Sequence, residues 1–302
     1  MNSEPYHIPA LLRQSIEGLD VRPGGIYVDA TFGGGGHSRA ILEVLDADGR
    51  LLSFDRDMEA YANAPDDARF TFVHSDFRYI SNFLHYHGIE RVDGILADLG
   101  VSFHHFDSAE RGFSFRSDAP LDMRMNRQGG RTAMELLNGS DKEQLERMFR
   151  TYTDLKRPGA VAAAIVKSRT GGEIRTTMQL TEAVRPALNP KSEKKDLAQV
   201  FQALRIEVNG EMEALRALLA QSLAVLKPGG RMAVITYHSI EDRMVKNFFR
   251  SGNVDGEIDQ DIYGNVRTPW KLITRSPIVP DAEEIEANPR SRSAKLRIAE
   301  KL

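Results

Sequence analysis

The chain has 302 residues, enough for one large domain or two ordinary ones, and its 41% hydrophobic and 27% charged residues exclude wholesale disorder. Its 40 lysines and arginines against 43 aspartates and glutamates give a net charge of −3, so a polyanionic partner would have to meet a local basic patch. Cysteine is absent, which excludes disulfides, thiolate nucleophiles and Cys-ligated zinc.

In chain order, the sequence begins without an apolar leader and continues as alternating strands and helices. Because no run approaches about 18 consecutive apolar residues, we expect a soluble, cytoplasmic protein. The β-rich runs are Gly25–Phe32, Arg50–Phe54, Phe70–His74 and Val92–Leu99, and the helical segments between them are Ser38–Leu45, Met58–Ala64 and Arg78–His87. This alternation predicts an α/β fold with a mostly parallel sheet.

The pattern changes after Gly100. Residues 102–131 have no clear period and indicate an ordered loop, and residues 132–195 have mainly helical spacing. A further helical run carries apolar residues from Leu197 to Leu226 and is expected to stop at the Lys227–Gly230 turn, before a strand over Arg231–Tyr237. We therefore predict an α/β domain of residues 1–106 and 205–302, interrupted by a mainly helical insertion over residues 107–204.

Four consecutive glycines, Gly33, Gly34, Gly35 and Gly36, follow the first predicted strand and precede a helix that begins with His37. Glycines there let the backbone approach a ligand closely, and the helix N-terminus offers free N–H groups. No Gly-Lys-Ser/Thr follows, which excludes a P-loop. The glycines match the dinucleotide-binding motif only loosely. The negative charge of Asp29, in the strand before them, disfavours binding of a pyrophosphate. S-adenosylmethionine (SAM), which carries a sulfonium, an ammonium and a carboxylate, fits better.

Polar or aromatic residues also follow the next three strands. Asp55 lies 20 residues after Gly35, the usual position of an acid that binds ribose hydroxyls. Phe77 follows the third strand and can stack on adenine, and Asp98 ends the fourth. Because the carboxyl ends of parallel strands share one edge of a sheet, a SAM site is the leading hypothesis.

The residue types also limit the methyl-transfer reactions that the protein could catalyse. Without cysteine, methylation of a pyrimidine carbon through a thiolate adduct is excluded, and direct transfer to nitrogen or oxygen remains. Asp98 can orient the hydrogens of an amine, and Tyr237 and His238, at the end of a strand, can face the target base. These three are the candidate catalytic residues.

The segment after Asp98 lacks the Pro-Pro-aromatic pattern of many amino-methyltransferases, so the motif leaves N- and O-methylation open. No metal site is expected.

Two segments are locally basic. Residues 111–131 contain five arginines against two aspartates, and residues 288–302 contain five basic side chains against one glutamate. Arginines interleaved with aromatic rings suit phosphates and splayed bases. The candidate RNA contacts are Arg111, Arg116, Arg124, Arg127, Arg290 and Arg292.

Nine segments together resemble the MraW family, the bacterial ribosomal RNA small subunit methyltransferases H. They are HIPALL (His7–Leu12), DATFGGGGHS (Asp29–Ser38), DRD (Asp55–Asp57), DGILADLGV (Asp93–Val101), ERGFSF (Glu110–Phe115), PLDMRM (Pro120–Met125), FQALRI (Phe201–Ile206), YHSIEDR (Tyr237–Arg243) and NPRSR (Asn288–Arg292). The resemblance covers nearly the whole chain in order. It implies a Rossmann-like SAM-dependent methyltransferase domain with a helical insertion that recognises substrate, and N4-methylation of a cytidine in the decoding region of 16S rRNA.

By position, the resemblance assigns SAM contacts to Gly35, Gly36, His37, Asp55, Phe77, Asp98 and His105. His105 stands where many members have glutamine, and Phe103 replaces a usual serine. Leu155–Ala162 also departs from the family pattern, with Pro158 expected to begin a helix.

Two alternatives remain from other functional classes. One is a non-catalytic SAM- or nucleotide-binding RNA chaperone, and the other is an NAD-dependent oxidoreductase. The sequence leaves open whether naked RNA or the assembled small subunit is the substrate. It also leaves the oligomeric state open, with a homodimer as one arrangement.

Overall fold

The computed structural model describes residues 9–100, 109–264 and 266–302. The chain divides into two units, one of residues 1–100 and 212–302 and the other of residues 101–211. The boundaries predicted from sequence, 106/107 and 204/205, lie a few residues away. The substrate-recognition role of the insertion stays a prediction.

A sheet forms the centre of the first unit. Its strands are β1 (Ile26–Asp29), β2 (Arg50–Asp55), β3 (Phe70–His74), β4 (Val92–Asp98), β5 (Leu226–Thr236), β6 (Trp270–Leu272) and β7 (Lys295–Lys301). They lie in the order β3-β2-β1-β4-β5-β7-β6, with β1 to β5 parallel and β7 antiparallel to both β5 and β6. The predicted α/β fold with a mostly parallel sheet is confirmed.

The strand order indicates where a ligand is expected to bind. The direction of winding reverses between β1 and β4, and open α/β sheets bind ligands at such a switch point, beyond the carboxyl ends of the strands. Asp29, Asp55 and Asp98 are the last residues of β1, β2 and β4. The strand register therefore brings all three carboxylates to one edge of the sheet.

The helices follow the apolar spacing of the sequence. They are α1 (Leu12–Leu19), α2 (Gly36–Val44), α3 (Ile80–Tyr86), α4 (Ala133–Gly139), α5 (Lys142–Tyr152), α6 (Pro158–Ser168), α7 (Thr177–Val184), α8 (Glu193–Asn209), α9 (Glu211–Val225), α10 (Ser239–Ser251) and α11 (Ala282–Ala287). In the first unit, Leu11 and Ile41 pack with Leu96, Ile235 and Leu296 of the sheet. These apolar residues are fully buried and form a core beneath the strand ends.

The second unit is mainly helical and contains α4 to α8. Capping boxes begin α4, α5 and α7, at Thr132, Asp141 and Thr176. Each side chain accepts the N–H three residues on, which satisfies a donor that the helix itself leaves unpaired. Pro158 begins α6, as the sequence predicts, because its fixed φ and missing N–H suit the first turn of a helix.

Two predicted helices are partly 3₁₀. The segment expected at Met58–Ala64 is a 3₁₀ helix over Met58–Asn63, and a 3₁₀ turn over Phe77–Tyr79 precedes α3. Aspartates precede both segments, and each side chain accepts an N–H two residues on. Such a bond favours a tight turn.

The long helical run from Leu197 to Leu226 is two helices. Gly210 follows α8 with a φ of 55°, a left-handed conformation that ends the helix and that glycine adopts at little cost. A periodic apolar stripe continues through this break, which is why periodicity alone missed it.

The Lys227–Gly230 turn lies inside a strand. β5 begins at Leu226, directly after α9, and its register against β4 shifts between Val92 and Gly94. The extra residues bulge out of the ladder, where Gly229 has a φ of 78° and proline needs no hydrogen-bond partner. The predicted helix stop is therefore also a bulge, and the strand is longer than expected.

Candidate active site

The glycine loop between β1 and α2 is held by side chains. The Gly33 N–H donates to Asp55 Oδ2 at 2.8 Å, and Asn63 Nδ2 donates to the Gly33 carbonyl at 3.1 Å. Arg39, within α2, donates to the Gly34 carbonyl. These bonds give the loop a defined shape. Asn63 and Arg39 were missed by sequence reasoning because nothing in their spacing links them to the loop.

The four glycines differ in their surroundings. A Cβ at Gly33 or Gly34 would meet no protein atom within 4 Å, so this half of the loop borders open space. A Cβ at Gly35 or Gly36 would come closer than 3.0 Å to a neighbouring side chain. The first two glycines therefore leave room for a ligand, and the last two allow close packing of the backbone.

Asp55 and Phe77 lie at the ends of the next two strands. Asp55 Oδ1 accepts the Asp57 N–H at 2.8 Å, while Oδ2 accepts the Gly33 N–H. The Phe77 side chain is half-buried, and it follows Asp76, which forms ion pairs with two arginines. Asp55 thus joins the glycine loop to the segment that follows β2. Its ribose contact and the adenine contact of Phe77 stay predictions.

Asp29 is buried at the end of β1, with 1% of its surface exposed. Ser38 Oγ donates to its Oδ2 at 2.7 Å, and the Thr31 N–H donates to its Oδ1 at 3.0 Å. Burial raises the pKa of Asp29, while His37 and these hydrogen bonds lower it. Asp29 thus joins the strand end to the first turn of α2, the ordering role that its position suggests.

His37 and Asp98 lie side by side at the strand ends. His37 Nδ1 is 3.8 Å from Asp98 Oδ2. His37 Nε2 and Asp98 Oδ1 are buried and find no hydrogen-bond partner among residues 9–100, 109–264 and 266–302. Burial lowers the pKa of His37, so the ring is neutral near pH 7. Buried polar atoms without partners are costly unless a ligand completes their hydrogen bonds, so this pair fits a polar ligand.

Asp98 has an unusual proton affinity. Burial raises its pKa to about 6, and the nearby Glu241 charge acts in the same direction. Hydrogen bonding by the Tyr237 hydroxyl and the Gly100 amide lowers the pKa but does not cancel the effect of burial. Asp98 is therefore mainly ionised at pH 7, yet it takes up a proton more readily than an ordinary aspartate.

This raised pKa predicts that Asp98 destabilises the fold at neutral pH. The unfolded chain loses the proton near pH 3.8 and the folded chain near pH 6, so stability falls as the pH rises between these values. Asp98→Asn should raise the free energy of unfolding by up to about 3 kcal/mol above pH 7, and by much less at pH 4.5. Denaturant unfolding of both proteins at pH 7.5 and 4.5 checks this. An equal difference at the two pH values would contradict the shift.

Tyr237 lies beside Asp98, just beyond β5. A Cβ at Gly100 would lie 2.7 Å from Tyr237 Cε2, so glycine is needed there to admit the ring. Burial and then the Asp98 charge raise the pKa of Tyr237. Its hydroxyl therefore stays protonated and can donate a hydrogen bond. The structure brings these two candidate catalytic residues together.

His238 occupies the N-cap of α10. Its Nδ1 accepts the Glu241 N–H at 3.3 Å, and the Glu241 carboxylate accepts the His238 N–H at 3.2 Å. This capping box explains the buried ring without any substrate contact, and a catalytic role for His238 stays a prediction. Glu241 was missed, although its spacing three residues after a helix start is the signal of a capping box.

The candidate RNA-binding arginines divide by exposure. Arg111 is 4% exposed and donates to the Arg124 and Met125 carbonyls, so it cannot meet a phosphate, and its predicted RNA contact is corrected to a structural role. Arg124 is held by Asp122 through two bonds of 2.6 and 2.9 Å. A segment rich in charged residues does not show which of its side chains are buried in the folded chain. The exposed candidates are Arg116, Arg127, Arg290 and Arg292.

Some of the residues singled out in the sequence lie in segments that the structure does not describe. His105, its neighbours Phe103 and His104, and His7 lie outside the described residues. Within the described ranges, no cluster of three or more His, Asp or Glu side chains is arranged to hold a metal ion. In the same ranges, no helix is both long and apolar enough to cross a membrane.

The glycine loop and the carboxylates of Asp55 and Asp98 border one edge of the sheet, where Rossmann-like proteins bind nucleotides and nucleosides. The fold and this site define a protein of that class. The model of the MraW methylase family matches residues 4–302, and the chain belongs to that family. This confirms the resemblance seen in the sequence and identifies the protein as a methyltransferase. It does not favour the chaperone or the oxidoreductase.

Curated relatives are similar over nearly their whole length. The chain is 57% identical to the ribosomal RNA small subunit methyltransferase H of Bacteroides thetaiotaomicron, over 98% of this chain and 97% of that protein. The identity and both shares are the same for the protein of that name from Phocaeicola vulgatus. A solved rRNA methylase from Streptococcus thermophilus is 12% identical, with a TM-score of 0.41 over 100% of this chain and 99% of that one.

Proposed function

We propose that this protein transfers a methyl group from SAM to N4 of a cytidine in the decoding region of 16S rRNA, in the cytoplasm. The observation that carries the proposal is the Asp98 carboxylate, which stands at the switch point of the sheet with a buried oxygen that has no hydrogen-bond partner among the described residues. The name of the relatives at 57% identity supports small-subunit rRNA as the substrate.

The residues around the crevice fit SAM, which supplies an electrophilic methyl group when bound. The open side of the loop at Gly33 and Gly34 leaves room for it. Asp55 accepts the ribose hydroxyls, and Phe77 packs on the adenine. The amides of Gly35 and Gly36, with the neutral His37 ring, serve its amino-acid end.

Asp98 prepares the amine for transfer. The lone pair of a cytosine N4 is delocalised into the ring, which makes it a poor nucleophile. An ionised Asp98 accepts a hydrogen bond from N4–H and favours a geometry in which the lone pair points at the methyl carbon. The N–C bond then forms as the S–C bond breaks, with its electron pair left on sulfur. The extra proton on N4 leaves to Asp98, whose pKa near 6 suits it as an acceptor.

RNA is held by exposed arginines, and this gives a test that separates RNA from cofactor binding. Arg116→Glu combined with Arg127→Glu should weaken RNA affinity about tenfold or more and make it less dependent on salt, because phosphate contacts are lost. SAM affinity should not change. Filter binding over a salt series and calorimetry with SAM measure the two. Arg13→Glu combined with Arg22→Glu, at two arginines whose side chains are 84% and 72% exposed, is the charge-matched control. An equal loss of SAM affinity would make the loop a cofactor lid instead.

Nucleoside analysis tests the proposed reaction. Small ribosomal subunits from cells that lack the enzyme are incubated with it and labelled SAM, then digested and analysed by mass spectrometry. We expect N4-methylated cytidine from 16S rRNA. Label in another base or at another atom would overturn the proposal. Naked 16S rRNA, run in parallel, shows which form is the substrate.

Three further expectations belong to the same proposal. The enzyme should need no resident metal, which turnover after dialysis against a chelator would show. A homodimer is one possible assembly, and light scattering distinguishes it from a monomer. SAM binding without NADH binding, in an equilibrium titration, would separate the enzyme from an oxidoreductase.

A further inference from the structure

Glu241 is a buried acid at the first turn of α10, with 3% of its surface exposed. Its Oε2 accepts two backbone N–H groups, from Tyr237 at 2.9 Å and from His238 at 3.2 Å. Its Oε1 lies 3.1 Å from His238 Nε2. A capping box needs only the bond from the N-cap residue, so the bond to the residue before it, Tyr237, is additional.

The additional bond acts on the residue that faces Asp98. Tyr237 is the first residue after β5, and the Leu99 N–H donates to the Ile235 carbonyl at 3.0 Å, which ties the ends of β4 and β5 together. With its backbone held by Glu241 and its ring against Gly100, the tyrosine has little freedom to turn from the carboxylate. The orientation of the hydroxyl thus depends on a side chain that binds the backbone of Tyr237.

We propose that Glu241 is a positioning residue for methyl transfer, which holds the turn bearing Tyr237 against the Asp98 carboxylate. This inference rests on the proposed function and assigns a role to a residue outside the reacting atoms. An exposed capping glutamate would stabilise only the helix. Burial of the Glu241 carboxylate near that of Asp98 costs free energy. A positioning role gives a reason for a carboxylate at this place.

The charge of Glu241 adds a measurable consequence. Within the described ranges, the ionisable groups that face Asp98 are His37 of α2, Asp29 of β1, Tyr237 and Glu241. The Glu241 charge raises the pKa of Asp98. Glu241→Gln removes this charge, yet one amide oxygen can still accept both N–H groups. The variant therefore separates the charge of Glu241 from its hydrogen bonds.

The experiment measures Asp98 directly. In protein labelled with ¹³C at aspartate carboxyls, with the signal assigned by Asp98→Asn, the titration of Asp98 should move to lower pH in Glu241→Gln, because the Glu241 charge raises the pKa of Asp98. The acid limb of the kcat profile should move in the same direction. Glu241→Ala, which loses the bonds as well, should lower kcat about tenfold and change the KM for SAM less than about threefold.

Glu135 provides the matched control. It holds the same position in the capping box of α4, where its carboxylate accepts the Thr132 N–H at 2.8 Å. Glu135→Gln and Glu135→Ala should leave the Asp98 titration and kcat unchanged. Equal turnover in Glu241→Ala and Glu135→Ala would overturn the proposal. An unmoved Asp98 titration in Glu241→Gln would contradict the charge coupling alone.

The design keeps the inference separate from the proposed function. If the wild-type enzyme transfers no methyl group to small subunits, the proposed function fails, while the Asp98 titration still decides the coupling to Glu241. If Glu241→Ala does not fold, Glu241→Asp, which keeps the charge but shortens the reach to the Tyr237 N–H, decides through kcat.

Discussion

Asp98→Asn is expected to lower kcat for methyl transfer to the small subunit by about 10²–10⁴-fold, while the fold survives. The amide has the shape of the carboxylate, but it carries no charge and cannot take the proton from N4. The carboxylate also stands at the switch point of the sheet, with a buried oxygen that finds no partner in the part of the chain that the structure describes. Single-turnover transfer of labelled methyl groups measures the loss.

Asp93→Asn is the control for this variant. Asp93 lies near the opposite end of β4, where its Oδ2 accepts the Ile26 N–H and pairs with Lys227, both at 2.8 Å. The change there affects stability but not the crevice, so kcat should stay within about twofold. SAM affinity in Asp98→Asn should also fall far less than kcat. Turnover near the wild-type value in Asp98→Asn would refute its assigned role.

Gly34→Leu is expected to weaken SAM binding by about a hundredfold or more without unfolding the protein. A Cβ at Gly34 would meet no atom of the described residues within 4 Å, and the φ of Gly34 lies outside the left-handed region. Leucine would therefore be accommodated by the fold but would occupy the room that the cofactor needs. Extra side-chain atoms in a packed site cost roughly 1–3 kcal/mol, and about 2.7 kcal/mol corresponds to a hundredfold loss of affinity. Calorimetry with SAM measures the affinity.

Two variants separate blockage from instability. Gly129→Leu makes the same change at another glycine with open surroundings, and it should leave SAM affinity unchanged. Gly35→Ala should instead lower the melting temperature, because its φ is 74° and its Cβ would lie 2.8 Å from the Phe32 ring. Normal SAM affinity in Gly34→Leu would show that the cofactor does not lie on the open side of the loop.

The strands of the first unit could be predicted closely because their signal is local. Phe70–His74 has the same bounds in the sequence and in the structure, and the other parallel strands begin as apolar runs bounded by polar residues or glycine. Strands covered on both faces need continuous apolar side chains, and the chain must pass through turns between them. Those requirements are visible residue by residue.

The candidate site could be predicted only as far as the strand ends. Asp29, Asp55 and Asp98 each follow an apolar run, and the parallel sheet brings them to one edge. Glu241 and Asn63 could not be found in the same way. They reach the site through turns whose paths depend on the packing of the whole unit. Arg111 was misjudged for a related reason, since its burial follows from the path of the surrounding loop.

The sequence by itself determined the class of fold, the glycine loop and the family, because apolar periodicity, glycine and short motifs act over neighbouring residues. The tertiary structure alone decided which polar groups are buried together. The proton affinities of Asp98 and His37 follow from that burial, since the loss of water and the charges of distant residues set them. Distance along the chain has no bearing on those interactions, so only the folded arrangement determines them.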